Sequence, residues 1–138
     1  MSSSRTDLRG PSALGVYPCL TYRDVRRALT WLHAAFGIEG QPLAPPAAGG
    51  NQPLDHALLR TNGGTILVES ERPEELHGPH AGHGWIYVAV PDADTHYQQA
   101  TSAGAHVHGK PHDFGEAFRG YSASDLEGNL WTFGTAQP

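Results

Sequence analysis

An α+β fold of two tandem βαβββ modules is predicted by three observations on the 138-residue sequence. One succession of patterns occurs twice: an alternating strand, an Asp-capped helix, a glycine stop, a further strand and a hairpin. The two copies also superpose residue by residue. With Tyr17 placed on Trp85, Leu20 meets Val88, Tyr22 meets Val90, Asp24 meets Asp92 and Leu29 meets Tyr97. In the hairpins Gly63 meets Gly128, Ile66 meets Trp131 and Val68 meets Phe133. Finally, each copy has one helix for its sheet, so one sheet face is left bare. The paired, curved sheets are therefore expected to enclose a cleft, the kind of concavity in which small ligands bind.

The elements follow in order. Residues 1–13 are small, polar and broken by Pro and Gly, and are expected to be a disordered tail; they lack the apolar stretch of a secretory signal. Residues 14–138 are expected to form one domain, with a first module at 14–71, a linker at 72–84 and a second module at 85–135. Residues 16–22 alternate as a strand, and Pro18 predicts an edge or irregular position because it cannot donate to a ladder. Residues 24–36 read as a helix: Asp24 caps it, Val25, Ala28, Leu29, Leu32 and Phe36 form its apolar stripe, and Gly37 ends it. Residues 41–53 hold four prolines and two glycines and read as a loop with room for a short strand at its start. Residues 56–60 and 65–69 flank an Asn-Gly pair, a strong hairpin signal. After the polar linker, residues 85–90 read as a strand, 94–103 as a helix capped by Asp92 or Asp94, and 105–107 as a strand start. Residues 119–124 and 129–134 form a closing hairpin around Asp125-Leu126-Glu127-Gly128.

Composition narrows the partners. Nine Lys and Arg against 14 Asp and Glu give a formal net charge of −5, so the cationic footprint of a nucleic-acid binder is missing. No apolar run approaches the roughly 20 residues of a membrane span. Cys19 is the single cysteine, which excludes an internal disulfide framework and fits a reducing, cytoplasmic setting.

Four segments carry a resemblance: YPCLTYRDVRRALTWLHAAFG, HALLRTNGGTILVE, WIYVAVPDAD with AGAHV, and FRGYSASDLEGNLWTFGT. Across nearly all of residues 15–135 the chain resembles the glyoxalase/bleomycin-resistance/extradiol-dioxygenase group, the vicinal oxygen chelate superfamily. The family usually has Asp-Pro-Asp-Gly at the last turn, where this chain has Asp-Leu-Glu-Gly. The resemblance implies a homodimer whose paired modules enclose the sites. Metal-using members place four ligands, one on each of four strands, and those positions correspond to Tyr17, Leu67, Trp85 and Thr132 here. Zn²⁺, Ni²⁺, Fe²⁺ and Mn²⁺ take imidazole, carboxylate or thiolate donors, so no metal or other cofactor is expected at this set. Glu69, two residues from Leu67 on the same face, is the nearest carboxylate.

Strand parity assigns the cleft. Tyr17, Cys19 and Thr21 share one face and Trp85, Tyr87 and Ala89 another, while Leu20, Tyr22, Ile86, Val88 and Val90 face the helices, as do Trp131 and Phe133. The expected ligand-binding set is Tyr17, Cys19, His56, Glu69, Trp85, Tyr87, Phe118, Arg119 and Thr132. Aromatic walls with O–H and N–H groups suit a flat or amphipathic organic guest. His56 is either a pocket hydrogen-bonder or base, or a structural residue; Arg119 meets either an anionic ligand group or a neighbouring carboxylate. Cys19 has no evident base or cation to activate it.

Of the other histidines, His77, His80 and His83 fall in a Gly/Pro-broken loop, and His106 and His108 share an outward strand face with His112 in the next loop. His33 and His96 are expected on the solvent side of their helices. The reading is a metal-free small-molecule-binding protein that sequesters an aromatic or amphipathic natural product or antibiotic, as the family's drug-binding members do. The alternative is a lyase, isomerase or oxygenase that uses a shifted metal site at Glu69 and His56, or acid/base work by His56, Tyr17 or Glu69.

Overall fold

The computed structural model describes residues 16–43, 54–61, 63–72, 81–116 and 118–136. The expected tail at 1–13, most of the 41–53 loop and most of the linker, with His77 and His80, lie outside these residues. The fold is α+β, with two mixed sheets and two helices. The first part runs β1 (Cys19–Tyr22), α1 (Val25–Phe36), β2 (Glu39–Pro42), β3 (His56–Thr61) and β4 (Gly64–Ser70). The second runs β5 (Trp85–Ala89), α2 (Ala93–Ser102), β6 (His106–Val107), β7 (His112–Phe114), β8 (Phe118–Ser124) and β9 (Leu130–Gly134).

The first sheet has the order β1-β4-β3-β2; the second has β5-β9-β8-β6, with β7 also paired to β8. In each sheet the first strand lies parallel to the last, and the hairpin strands are antiparallel. β1 is an edge strand, as Pro18 requires; the proline contributes only its carbonyl, which accepts from Leu67 N at 2.8 Å. β7 was not expected from the sequence, which placed His112 in a loop.

Local chemistry sets the helix ends. The Asp24 carboxylate accepts from Arg27 N at 3.0 Å, and Gly37 ends α1 in the left-handed region at φ 71. Asp92, not Asp94, caps α2 through Thr95 N at 3.1 Å.

α1 packs against β2, β3 and β4, α2 packs against β8 and β9, and the helices touch each other. The helix-side residues of both sheets enter one core that joins Leu20, Tyr22, Leu59 and Val68 to Tyr121, Trp131 and Phe133. Phe36, the last residue of α1, packs on the second sheet, 5.5 Å from Trp131 and 4.8 Å from Phe133. Since successive residues of a strand alternate faces, the other face of each sheet points away from this core.

A buried carboxylate locks the two parts together. Asp125 Oδ2 accepts from Tyr22 O–H at 2.6 Å and from Trp131 Nε1–H at 3.0 Å. Its Oδ1 accepts from Glu127 N and Asn129 N, each at 3.0 Å. Glu127 extends the clasp, accepting from Arg23 N at 2.6 Å and Asp24 N at 2.9 Å. The turn expected from Asp-Leu-Glu-Gly is therefore a cross-tie between the start of α1 and the second hairpin. Burial, followed by the Asp125 charge, raises the Tyr22 pKa far above its ordinary value and keeps the phenol a donor.

His96 corrects an expectation. It is half-buried and stacks on Phe133 with ring centroids 4.0 Å apart. Nε2 lies 3.1 Å from the Phe36 carbonyl, which can only accept, so Nε2 carries the proton. Nδ1 is then an acceptor, and Tyr121 O–H donates to it at 2.6 Å. Burial lowers the His96 pKa below 6.5 although the Phe36 bond opposes that shift. Tyr121 and Tyr97 face the ring region, and Glu39, Arg60 and Asp92 line the adjoining groove. Well above pH 6.5 the ring is neutral in both folded and unfolded chains. Below it, the unfolded chain takes up the proton first, so stability falls as pH drops through the depressed folded value. Thermal melts from pH 7.5 to 5 are expected to show this decline, and His96→Gln is expected to flatten it.

Candidate ligand-binding faces

The open face of the second sheet is aromatic on one flank and hydroxylic in the middle. Trp85 begins β5 and is 69% exposed. Its indole is nevertheless fixed: Nε1–H donates to Thr132 Oγ1 at 3.1 Å on β9, and Thr132 pairs with Ser122 Oγ at 2.8 Å on β8. Tyr87 is half-buried, with its O–H donating to the Ala136 carbonyl at 2.8 Å. Its ring meets Phe118 edge-on at 6.0 Å, and Phe118 stacks on Phe114 at 4.5 Å with planes 10° apart. Gly134 makes room for this cluster: a Cβ there would come 2.7 Å from Tyr87 Oη and 2.8 Å from Phe118 Cδ2.

The open face of the first sheet is polar around one carboxylate. The β1–β4 register pairs Cys19 with Leu67 and Thr21 with Glu69, and the β3–β4 register pairs His56 with Glu69. Glu69 Oε1 accepts from Arg72 Nη2 at 3.0 Å, and Oε2 accepts from the Cys19 thiol at 3.3 Å. Burial of the sulfur, then the hydrogen bond and charge of Glu69, push the Cys19 thiol up to about 11, against a smaller opposing pull from Arg72. A thiol held there is protonated at neutral pH and is no nucleophile. Tyr17 precedes β1 with the parity of Cys19 and is half-buried.

Eight of the nine expected residues thus fall on open-face positions, four at each sheet: Tyr17, Cys19, His56 and Glu69 at the first, Trp85, Tyr87, Phe118 and Thr132 at the second. Arg119 does not join them. It alternates with Phe118 on β8, so its guanidinium lies on the helix side, where it holds Asp94 at 2.8 and 3.0 Å and Asp113 at 3.2 Å. That pairing lowers the Asp94 pKa and raises that of Arg119. Among the described residues the two open faces are not brought against each other within one chain, since both sheets send their helix sides into the shared core and no strand pairs across the sheets.

Sequence reasoning missed Arg72, although its position three residues after Glu69 was visible, and it missed Ser122, which only the β8–β9 register places beside Thr132. It also missed a groove of about 550 Å³ between the two parts, lined by Phe36, Glu39, Arg60, Asp92, His96 and Phe133 among others. None of the nine expected residues lines that groove, and both nitrogens of its His96 are engaged.

Tyr17, Leu67, Trp85 and Thr132, the set to which the resemblance assigns a metal, carry phenol, isobutyl, indole and hydroxyl groups, a donor set that does not fit a borderline divalent ion. Among the described residues no group of three or more His, Cys, Asp or Glu could hold one. No helix among them is long and apolar enough to cross a membrane.

Comparison with known proteins adds the following. The Glyoxalase/Bleomycin resistance protein/Dioxygenase superfamily matches residues 16–133. TioX from Micromonospora sp. ML1 is 33% identical, with a TM-score of 0.70 over 88% of this chain and 94% of that one. A glyoxalase/bleomycin resistance protein from Catenulispora acidiphila DSM 44928 is 24% identical, with a TM-score of 0.60 over 91% of this chain and 99% of that one. A superfamily member from Sphaerobacter thermophilus DSM 20745 is 18% identical, with a TM-score of 0.64 over 88% and 97%. The last two show likeness of fold alone. Curated protein sequences give no match.

Proposed function

Since the chain belongs to the glyoxalase/bleomycin resistance/dioxygenase superfamily, we propose that it is a metal-free small-molecule-binding protein. Its guest is an aromatic or amphipathic natural product or antibiotic, held without chemical change. The observation that carries this reading is Trp85: a large, exposed indole plane, fixed by Thr132 on the open face of the second sheet. An indole locked by its own N–H loses little freedom when a flat guest stacks on it. The opposite wall comes from a second copy. In a homodimer the Glu69 face of one chain closes over the Trp85 face of the other, giving two equivalent clefts. Tyr17, Cys19, His56 and Glu69 then supply hydrogen-bonding groups, and Trp85, Tyr87, Phe118 and Thr132 supply the stacking wall. The lone cysteine suits a cytoplasmic setting.

A second reading rests on the His56–Glu69 register pair, an imidazole and a carboxylate side by side on an open face. Such a pair suits acid/base chemistry, or a shifted metal site in a lyase, isomerase or oxygenase. The two readings separate on tag-free protein. A thermal-shift panel of aromatic antibiotics finds guests that bind the native state, because such guests raise its melting temperature. The binding reading expects a hit that is recovered intact. Turnover of the hit, or stoichiometric metal that disappears in Glu69→Gln, would select the enzyme.

A further inference from the structure

His106 begins β6, at one end of the β5-β9-β8-β6 order, and His108 follows its last residue, held to β8 by its N–H on the Ser122 carbonyl at 2.8 Å; both histidines are exposed. Val107 between them packs against the core, so the two imidazoles lie on the open face. Their ring centroids are 5.0 Å apart. An imidazole nitrogen binds a borderline divalent cation at about 2.0–2.1 Å, so with a ring radius of about 1.2 Å each centroid lies about 3.2 Å from the ion. Two imidazoles meeting one ion at about 90–110° then have centroids about 4.5–5.2 Å apart. The observed spacing falls inside that range.

We propose that His106 and His108 form a two-imidazole chelate for a borderline divalent cation, Cu²⁺ ahead of Ni²⁺ and Zn²⁺, on the open-face edge of the second sheet. The preference follows from imidazole donors and the rising affinity of such sites toward copper. Ser124 faces the pair: it is the register partner of His106, and its Oγ lies 2.7 Å from His108 Nε2. A single exposed hydroxyl–imidazole hydrogen bond is weak beside a metal–nitrogen bond, so the metal displaces it. Among the described residues no third His, Cys, Asp or Glu completes a cluster, so water fills the remaining positions. The site is separate from Tyr17, Leu67, Trp85 and Thr132 and does not depend on the ligand-binding reading.

The test is titration of tag-free, full-length protein with Cu²⁺, read by calorimetry and by electron paramagnetic resonance. One equivalent with nitrogen hyperfine splitting from two imidazoles is expected. His106→Gln and His108→Gln, on exposed positions, should each weaken that equivalent by about tenfold or more, because a lone imidazole loses the chelate advantage. Circular dichroism verifies that these variants fold. A variant with His77, His80 and His83 all changed to Ala should retain the equivalent. Unchanged copper binding in both His106→Gln and His108→Gln, no copper binding by the wild type, or loss only in the His77/His80/His83 variant would overturn the proposal.

Discussion

Asp125→Ala is expected to lower unfolding stability by about 3–5 kcal/mol, which is a large part of what a domain of this size has. The carboxylate is 6% exposed and accepts four hydrogen bonds, so its removal strands two buried donors, Tyr22 O–H and Trp131 Nε1–H. It also frees the backbone amides of Glu127 and Asn129 that hold the turn. Because Tyr22 belongs to the first sheet and Trp131 to the second, the loss falls on the junction between them. Tyr22→Phe removes one of the four donors and should cost only about 1–2 kcal/mol. Urea unfolding with an unchanged m-value measures both. A loss below about 1 kcal/mol in Asp125→Ala would mean that the joint core, not the carboxylate, holds the parts together.

The second large effect concerns binding. Trp85→Ala is expected to weaken capture of any panel hit by about ten- to a hundredfold, or about 1.4–2.8 kcal/mol, while the melting temperature of the free protein moves little. The asymmetry follows from exposure, since a side chain that is 69% exposed contributes little to the core yet presents most of its face to a guest. Trp85→Phe keeps a ring but loses the Thr132 tether, so it should fall between the two. A guest that binds Trp85→Ala as tightly as the wild type would place the site elsewhere, with the His96 groove as the next position to test.

Much of this architecture was legible because local and tertiary demands agree. Asp24 and Gly37 mark the ends of α1, and the glycine of Asn-Gly sits in the turn between β3 and β4 at φ 83. Parity sorted Leu20 and Tyr22 from Cys19, and Trp131 and Phe133 from Thr132. The miss at His96 has a physical origin. On α2, Ala93, His96, Tyr97 and Ala100 share helical spacing, but a polar His in that stripe reads as solvent-facing until a buried Tyr121 offers it a partner. Of the two partners the sequence leaves open for Arg119, an anionic ligand group or a neighbouring carboxylate, the structure shows the carboxylate: adjacent strand residues alternate faces, and the Asp94 contact across to α2 shows which side Arg119 takes. The Asp125 cross-tie was hidden for a related reason. The turn residues announce a hairpin, but nothing local shows that the carboxylate is shared with a tyrosine 103 positions away. Glu69 could be named from its strand, and the outward face of His106 and His108 from the spacing around Val107, whereas the β7–β8 pairing that sets Phe114 opposite Phe118 needed the sheet itself.

The decisive experiment is calorimetric titration of the strongest thermal-shift hit into tag-free protein, followed by mass analysis of the guest after release. One guest per protomer, recovered unaltered and lost with the Trp85 ring, is the outcome this account requires. A guest returned as product, or one whose binding depends on an ion coordinated between the sheets, would contradict it.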